Sequence, residues 1–318
     1  MVALLGFAAL AVDVGAMYVE KAQIQNGADA TALAIAGDCA KGLNCTTAMA
    51  ASANRLADAN ANDSSTGVFS VTQPNAKTVR VETNARQSGS GSDHFSLFFA
   101  RAMGIETTDI TAAAEASWGP PSKGTSLPWT VSECVYKKYL SPSQLSQLNS
   151  TGNFTGDPVP THILLRYDEN APTVLPCAAQ NGYQPGGFGW LMTDTGCTTN
   201  IDLNLTVSGQ PGNHFPNAAA CDALLATLMD EPALIPLFNS ATGNGRNATY
   251  SLVGFAAFKV TGYRFSGSVA VDDSLAPNCN GNCRGLQGYF VRFVSIEEGM
   301  TLSSSLPNYG GTVAALTQ

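Results

Sequence analysis

Charge is scarce in this sequence. Asp, Glu, Lys and Arg make up 13% of its 318 residues, about half the usual share, and the formal balance is -8 with no basic run. A cationic stripe is therefore missing, and nucleic acid does not figure among the expected partners. Histidine is scarcer still. His94, His162 and His214 lie too far apart in the chain for a local metal pair, and H-E-x-x-H is absent. So are a G-x-S-x-G elbow, a G-x-x-x-x-G-K-[ST] phosphate loop and a G-x-G-x-x-G after a strand. No catalytic, cofactor-binding or metal-ligating set is read from the chain. Asp168-Glu169-Asn170 and Asp272-Asp273 are small acidic clusters of a kind that holds calcium outside cells, and more often forms solvated turns.

What the chain does have is an apolar beginning. From Met1 to Val19 only Asp13 is charged and there is no proline, so this stretch reads as a helix that is apolar all round and needs lipid or protein on every side. A bilayer crossing takes about 20 such residues, which makes 1–19 a borderline span. From Glu20 the pattern changes. Polar residues enter, and Ile24, Ala28, Ala32 and Ile35 recur on one helical face, the packing stripe of an amphipathic helix. One helix over 1–36 is expected, its first part in a membrane or filament core and its second part in a soluble head. Asp13 is costly within an apolar segment. It is expected either to reach interfacial water or to pair with a cation or N-terminal amine of a neighbouring helix.

The stretch LAVDVGAMYVEKAQIQNGADATALAIAG resembles the N-terminal segment of the TadE/TadG-like proteins of Flp (tight adherence) pilus assembly. The resemblance rests on AVDVG at Ala11 to Gly15, an aromatic at Tyr18, Gln25, and the alanine-rich run from Ala28 to Ala34. It implies a helix anchored in a membrane or inserted in a filament through Leu4, Leu5, Phe7, Leu10, Val12, Asp13, Val14, Gly15 and Tyr18, with other pilin or pilus-assembly subunits as partners. Members of that family usually begin with basic residues and a longer apolar stretch, whereas this sequence opens inside the span, so a complete anchor is expected to be longer. Some larger relatives carry a metal-dependent adhesion domain with a D-x-S-x-S motif. Asp63-Ser64-Ser65 and Asp272-Asp273-Ser274 do not fit it, so that mechanism does not carry over.

Eight cysteines, Cys39, Cys45, Cys134, Cys177, Cys197, Cys221, Cys279 and Cys283, all follow the apolar stretch. An even count beyond such a segment points to disulfides and an oxidising, extracytoplasmic location. Eight cysteines allow on the order of 100 pairings. Cys39 with Cys45 and Cys279 with Cys283 are close enough for local staples, and neighbour order suggests Cys134 with Cys177 and Cys197 with Cys221. A zinc site is the rival, but C-x-x-x-C is not its usual spacing.

Along the chain, Thr46 to Ala61 reads as a helix capped at Thr46 or Thr47, Gly67 to Thr72 and Lys77 to Ala85 as a hairpin, Ser92 to Met103 as a helix with Phe95, Phe98, Phe99 and Met103 on one face, and Thr107 to Trp118 as a strand. Residues 37–119 thus complete a pilin-like α+β module begun by 1–36. Residues 120–126, rich in Pro and Gly, read as a linker. Residues 127–318 read as a β-rich domain, a sandwich or barrel, with strands at Thr161 to Tyr167, Ala233 to Phe238, Tyr250 to Tyr263 and Gly288 to Ile296, and one helix at Asn217 to Met229. Within GGFGWLM, Phe188 and Trp190 are either core anchors at a glycine bend or a binding surface. The expected fold class is α+β: a long N-terminal hydrophobic helix leading into a pilin-like module, then a disulfide-stapled β-rich domain. The expected protein is a structural subunit at the bacterial cell envelope or in an extracellular pilus, with a host or surface ligand as a further partner of its outer domain. The alternatives use residues 127–318 as a hydrolase or as a carbohydrate binder.

Overall fold

The computed structural model describes residues 2–60, 65–87, 89–168, 170–177, 189–193, 196–210, 221, 223–224, 227–243, 247–267, 270–295, 300–303 and 305–317, with the side chains of 2–8, 52, 54, 294 and 295 outside that set. The chain forms two compact units. Unit 1 is Met1–Trp118 together with Ala314–Gln318, and unit 2 is Gly119–Val313.

Unit 1 is organised by α1 (Val2–Ala40), one uninterrupted helix of 39 residues, about 58 Å long. Its second half is the packing half. Ile24, Ala28, Ala32, Ile35 and Ala36 are fully buried, as their three- and four-residue spacing requires. Gly27 faces α2 (Cys45–Ala59) so closely that an added Cβ would lie 3.3 Å from the Ala57 carbonyl oxygen. Helix α2 starts at Asn44, whose side chain accepts from the Thr47 amide; the cap is Asn44, not Thr46 or Thr47. The turn between the helices is closed by the Cys39–Cys45 disulfide.

The sheet of unit 1 is built from β1 (Thr66–Asn75), β2 (Thr78–Ala85) and β5 (Thr111–Gly119), paired antiparallel in that order. The end of the last strand, β16 (Gly311–Leu316), follows β5, and the Thr317 amide donates to the Glu115 carbonyl. Helix α1 is fastened to this sheet by polar bonds as well as packing. Thr83 Oγ1 donates to the Ile24 carbonyl, Gln25 Nε2 to that of Ala113, and Lys21 Nζ to that of Thr111.

The helix expected over Ser92 to Met103 is not formed. Instead β3 (Phe95–Ser96) pairs with β4 (Thr107–Thr108), and a short 3-10 helix spans Ala100–Met103, ending at Gly104 in the left-handed region with φ 81°. The phenylalanine spacing is helical, yet Phe98 and Met103 are exposed and the amides that an α-helix would use internally are taken by a distant side chain, described below.

Unit 2 contains a six-stranded sheet with the open path β7 (Val131–Ser132), β11 (Ala233–Thr242), β12 (Thr249–Arg264), β13 (Gly285–Val291), β8 (Ile163–Arg166), with β10 (Thr206–Ser208) also on β12. The pairing of β7 with β11 is parallel and the rest antiparallel. A second sheet has the order β15 (Thr301–Leu302), β6 (Pro121–Ser126), β9 (Thr199–Asp202). The first three residues of β16 pair in parallel with β14 (Phe293–Ser295). Among the described residues these sheets have open paths, not the closed path of the barrel considered from the sequence. The stretch expected as a linker is strand β6. Its prolines do not obstruct pairing because Pro120 precedes the strand and Pro121 is its first residue, positions where a missing N–H is tolerated.

Two helices, α3 (Glu133–Lys138) and α4 (Pro142–Thr151), were not foreseen. The second carries a full capping box between Ser141 and Gln144 with Pro142 at the first turn, a local start signal that the sequence does display. The core of unit 2 is aromatic, with Trp129, Tyr136, Tyr167, Tyr250, Phe255 and Phe258 all buried. Disulfides join Cys134 to Cys177, Cys197 to Cys221 and Cys279 to Cys283. Of the helix expected over Asn217 to Met229, residues 221, 223–224 and 227–228 are helical and the others up to 226 lie outside the described residues.

Candidate functional site

Helix α1 has two surfaces that divide along its length. Toward its C-terminal end it is covered by α2 and the sheet. Toward its N-terminal end it is bare: Leu10, Val12, Val14, Gly15, Tyr18 and Val19 are exposed. The side chains of Leu4, Leu5 and Phe7 lie outside the described residues. Among the described residues, no helix is long and apolar enough to cross a membrane. The crossing expected over 1–19 lies in part outside the described residues; within them Asp13 and Glu20 are each less than a tenth exposed.

Asp13 is buried, 5% exposed, and held by its own chain. Its carboxylate accepts hydrogen bonds from three successive backbone amides: Phe98 at 2.9 Å, Phe99 at 3.0 Å and Ala100 at 2.7 Å. Donors in a row at the start of the Ala100–Met103 turn are the groups a helix leaves unpaired at its N-terminus, and a carboxylate complements them in charge as well as geometry. One acidic residue in an otherwise apolar run therefore ties the outer part of α1 to a loop some 85 residues away in sequence.

That loop is itself apolar and exposed. Phe98 is 76% exposed, Met103 61% and Ile105 52%, and Phe98 packs edge-on against Phe99 with ring centroids 4.8 Å apart. From Ala9 to Lys21 and from Leu97 to Ile105, the exposed ionic groups are Arg101 and Lys21, both basic. Sequence reasoning missed this patch because it placed Phe98, Phe99 and Met103 on the packed face of a helix. The adjacent phenylalanines and the closing Gly104 were the available hints.

The remaining sequence candidates belong to the framework. Trp190 is buried, bridged to Trp129 and packed against Tyr167 and Phe265 at 5.5 and 5.4 Å. It is a core anchor and offers no binding surface; Phe188 lies outside the described residues. Asp168 accepts two bonds from the Arg166 guanidinium and others from the Asn170 and Arg284 amides, so its oxygens are already used, while Glu169 lies outside the described residues. Asp273 accepts from Thr261 Oγ1 and pairs with His162 Nδ1, both at 2.5 Å, and His162 lies against Tyr289. Asp272 makes only a 3.5 Å contact to Arg264. Among the described residues no group of three His, Cys, Asp or Glu side chains could hold a metal ion. His94 is partly exposed on unit 1, and His214 lies outside the described residues.

Residues 1–38 match the family model Tad, described as Flp pilus-assembly TadE/G-like. No curated protein and no solved structure matches the chain. The matched segment is nearly coextensive with α1, so the likeness covers the long helix.

Proposed function

We propose that this chain is a non-enzymatic, TadG-like structural component of a Flp-type pilus system. Helix α1 holds it at the cell envelope or in the fibre, and Gly119–Val313 is the outer domain displayed for assembly, capping or adhesion. The observation that carries this reading is the division of α1: its inner half is committed to unit 1, and its outer half, within the segment matching the pilus-assembly family, exposes Leu10, Val12, Val14, Tyr18 and Val19 among the described residues. Apolar surface of that extent calls for a partner, which lipid or neighbouring subunit helices supply. Four disulfides support an oxidising location outside the cytoplasm.

The test is immunogold electron microscopy of intact cells with an antibody to unit 2, using cells lacking the gene as control, together with fractionation of sheared fibres and envelopes. Label on fibres places the chain among minor pilins, and label on envelopes among assembly components. Recovery of all of the protein from the medium, free of both, overturns the reading.

A further inference from the structure

We propose that unit 2 carries a binding site for neutral carbohydrate, in a cleft of about 530 Å³ bounded by the β11–β12 ladder, the first residue of α3, the turn after β9 and the segment 303–309. The inference goes beyond the placement of the chain at envelope or fibre, because every lining residue lies within Gly119–Val313 and the family match stops at residue 38. The volume falls in the range of about 300–1,000 Å³ usual for small-molecule pockets. The backbone is shaped for the cleft. The antiparallel ladder of β11 and β12 is interrupted on both sides of one pair: Leu237 faces Gly254, Phe238 faces Leu252 and Ser240 faces Ser251, so Val253 on one strand and Asn239 on the other have no opposite residue. Bulges of this kind re-aim side chains, and both extra residues line the cleft. Gly254 has no side chain where a Cβ would lie 2.7 Å from the Tyr309 ring. The ring therefore fits against β12, and its hydroxyl donates to Glu133 Oε1 at 2.7 Å. On the far rim the Ser303 hydroxyl accepts from the Ser305 and Leu306 amides.

The chemistry of the lining selects the ligand. Glu133 receives both the Tyr309 hydroxyl and Lys137 Nζ on Oε1, which fixes the carboxylate and leaves Oε2 to accept from a hydroxyl. The Asn239 side chain is exposed and bonds to no other group among the described residues, so its amide is ready both to donate and to accept. Asn204 brings a second amide from the opposite wall, and Leu252, Leu302 and Pro307 supply aliphatic surface between them. Neutral donors and acceptors set among aliphatic patches match a sugar ring, whose hydroxyls need both kinds of partner and whose C–H faces pack on apolar groups. Apart from the Tyr309 phenol, Glu133 is the one ionisable side chain in the lining. A phosphate, a sulfate or an acidic sugar would meet its charge with no lining cation to offset it. An extended peptide is held mainly through its backbone at a free strand edge, whereas β11 and β12 both lie inside their sheet.

The experiment uses the full chain, solubilised in a detergent without a sugar headgroup. It is titrated by calorimetry and by saturation-transfer NMR with lactose, cellobiose, mannobiose and N,N′-diacetylchitobiose, and with sialyllactose as the acidic counterpart of lactose. At least one neutral disaccharide is expected to bind with a Kd of about 1 mM or tighter, and sialyllactose to bind no better than lactose. Asn239→Ala should weaken the binding about fivefold, the loss of one hydrogen bond, with its melting curve checked first. Asn204→Ala, exposed on the other wall, should weaken it similarly and serves as the second reading if Asn239→Ala disturbs the bulge. Silence from all of the neutral sugars overturns the site, as does a preference for the acidic one. Binding that both variants leave unchanged places the sugar elsewhere and overturns it too. The immunogold result does not depend on any of these, so the two readings fail separately.

Discussion

A single carboxylate does the joining between the outer half of α1 and the loop that follows β3. Asp13→Asn keeps one acceptor oxygen where three amides converge, so the loop should open more often. Amide hydrogen exchange at Phe98, Phe99 and Ala100 is expected to accelerate about tenfold, with β1 and β2 unchanged; equal rates in both proteins would mean that the phenylalanine packing alone holds the loop. In unit 2 the acidic residues respond to pH. Burial pushes the Asp168 carboxyl up, but the Arg166 guanidinium and the Arg284 amide outweigh it and hold it below the usual carboxylate range. Asp273 behaves alike, with Thr261 and His162 as the opposing partners. For both, the unfolded chain binds protons before the folded one does. Their stabilisation is present above about pH 4 and is lost as pH falls through the depressed folded values. Thermal melts should be flat from neutrality to about pH 5 and then fall, and Asp168→Asn should cost about 2 kcal/mol at neutral pH while shrinking that acid slope.

Elements differ in how openly the chain announces them. Helix α1, helix α2, the β1–β2 hairpin and the central strands β11 to β13 follow from periodicities that persist over many residues, because a buried stripe or face must repeat with the element. The loop from Phe98 to Ile105 is illegible for the opposite reason. Its geometry depends on Asp13, far away in sequence, and no local pattern encodes that bond. Strand β6 was hidden by its prolines, which matter only in the strand interior, and α3 by its shortness. Cross-links and caps at this scale give graded costs. Asn44→Ala should lower the stability of unit 1 by about 1 kcal/mol. Replacing both cysteines by serine should cost about 2 kcal/mol for the Cys39–Cys45 pair, which spans a separation of 6, and about 4 kcal/mol for Cys134–Cys177, with a separation of 43, since the longer loop frees more unfolded-state entropy. Denaturant titrations of the two double variants decide the order; a larger loss at Cys39 and Cys45 would contradict the loop-entropy account.

At the scale of the whole molecule, sequence order and structural units do not coincide. Unit 1 is discontinuous in sequence: Met1–Trp118 is joined by Ala314–Gln318, which places the end of β16 beside β5. Ending the chain at Val313 should therefore lower the melting temperature of unit 1 and raise its tendency to aggregate, because β5 is left with an unpaired edge; light scattering and calorimetry of the shortened protein measure both. An unchanged melt would mean that the last strand is dispensable.

The same discontinuity sets a timetable. A polypeptide made from its amino end presents α1 and the first three strands of its sheet early, then all of Gly119–Val313, and only beyond Val313 the strand that lies next to β5. The middle of the protein has time to close around its own core while the beginning still waits with one edge free. A chain interrupted anywhere before residue 314 thus keeps a free edge on β5.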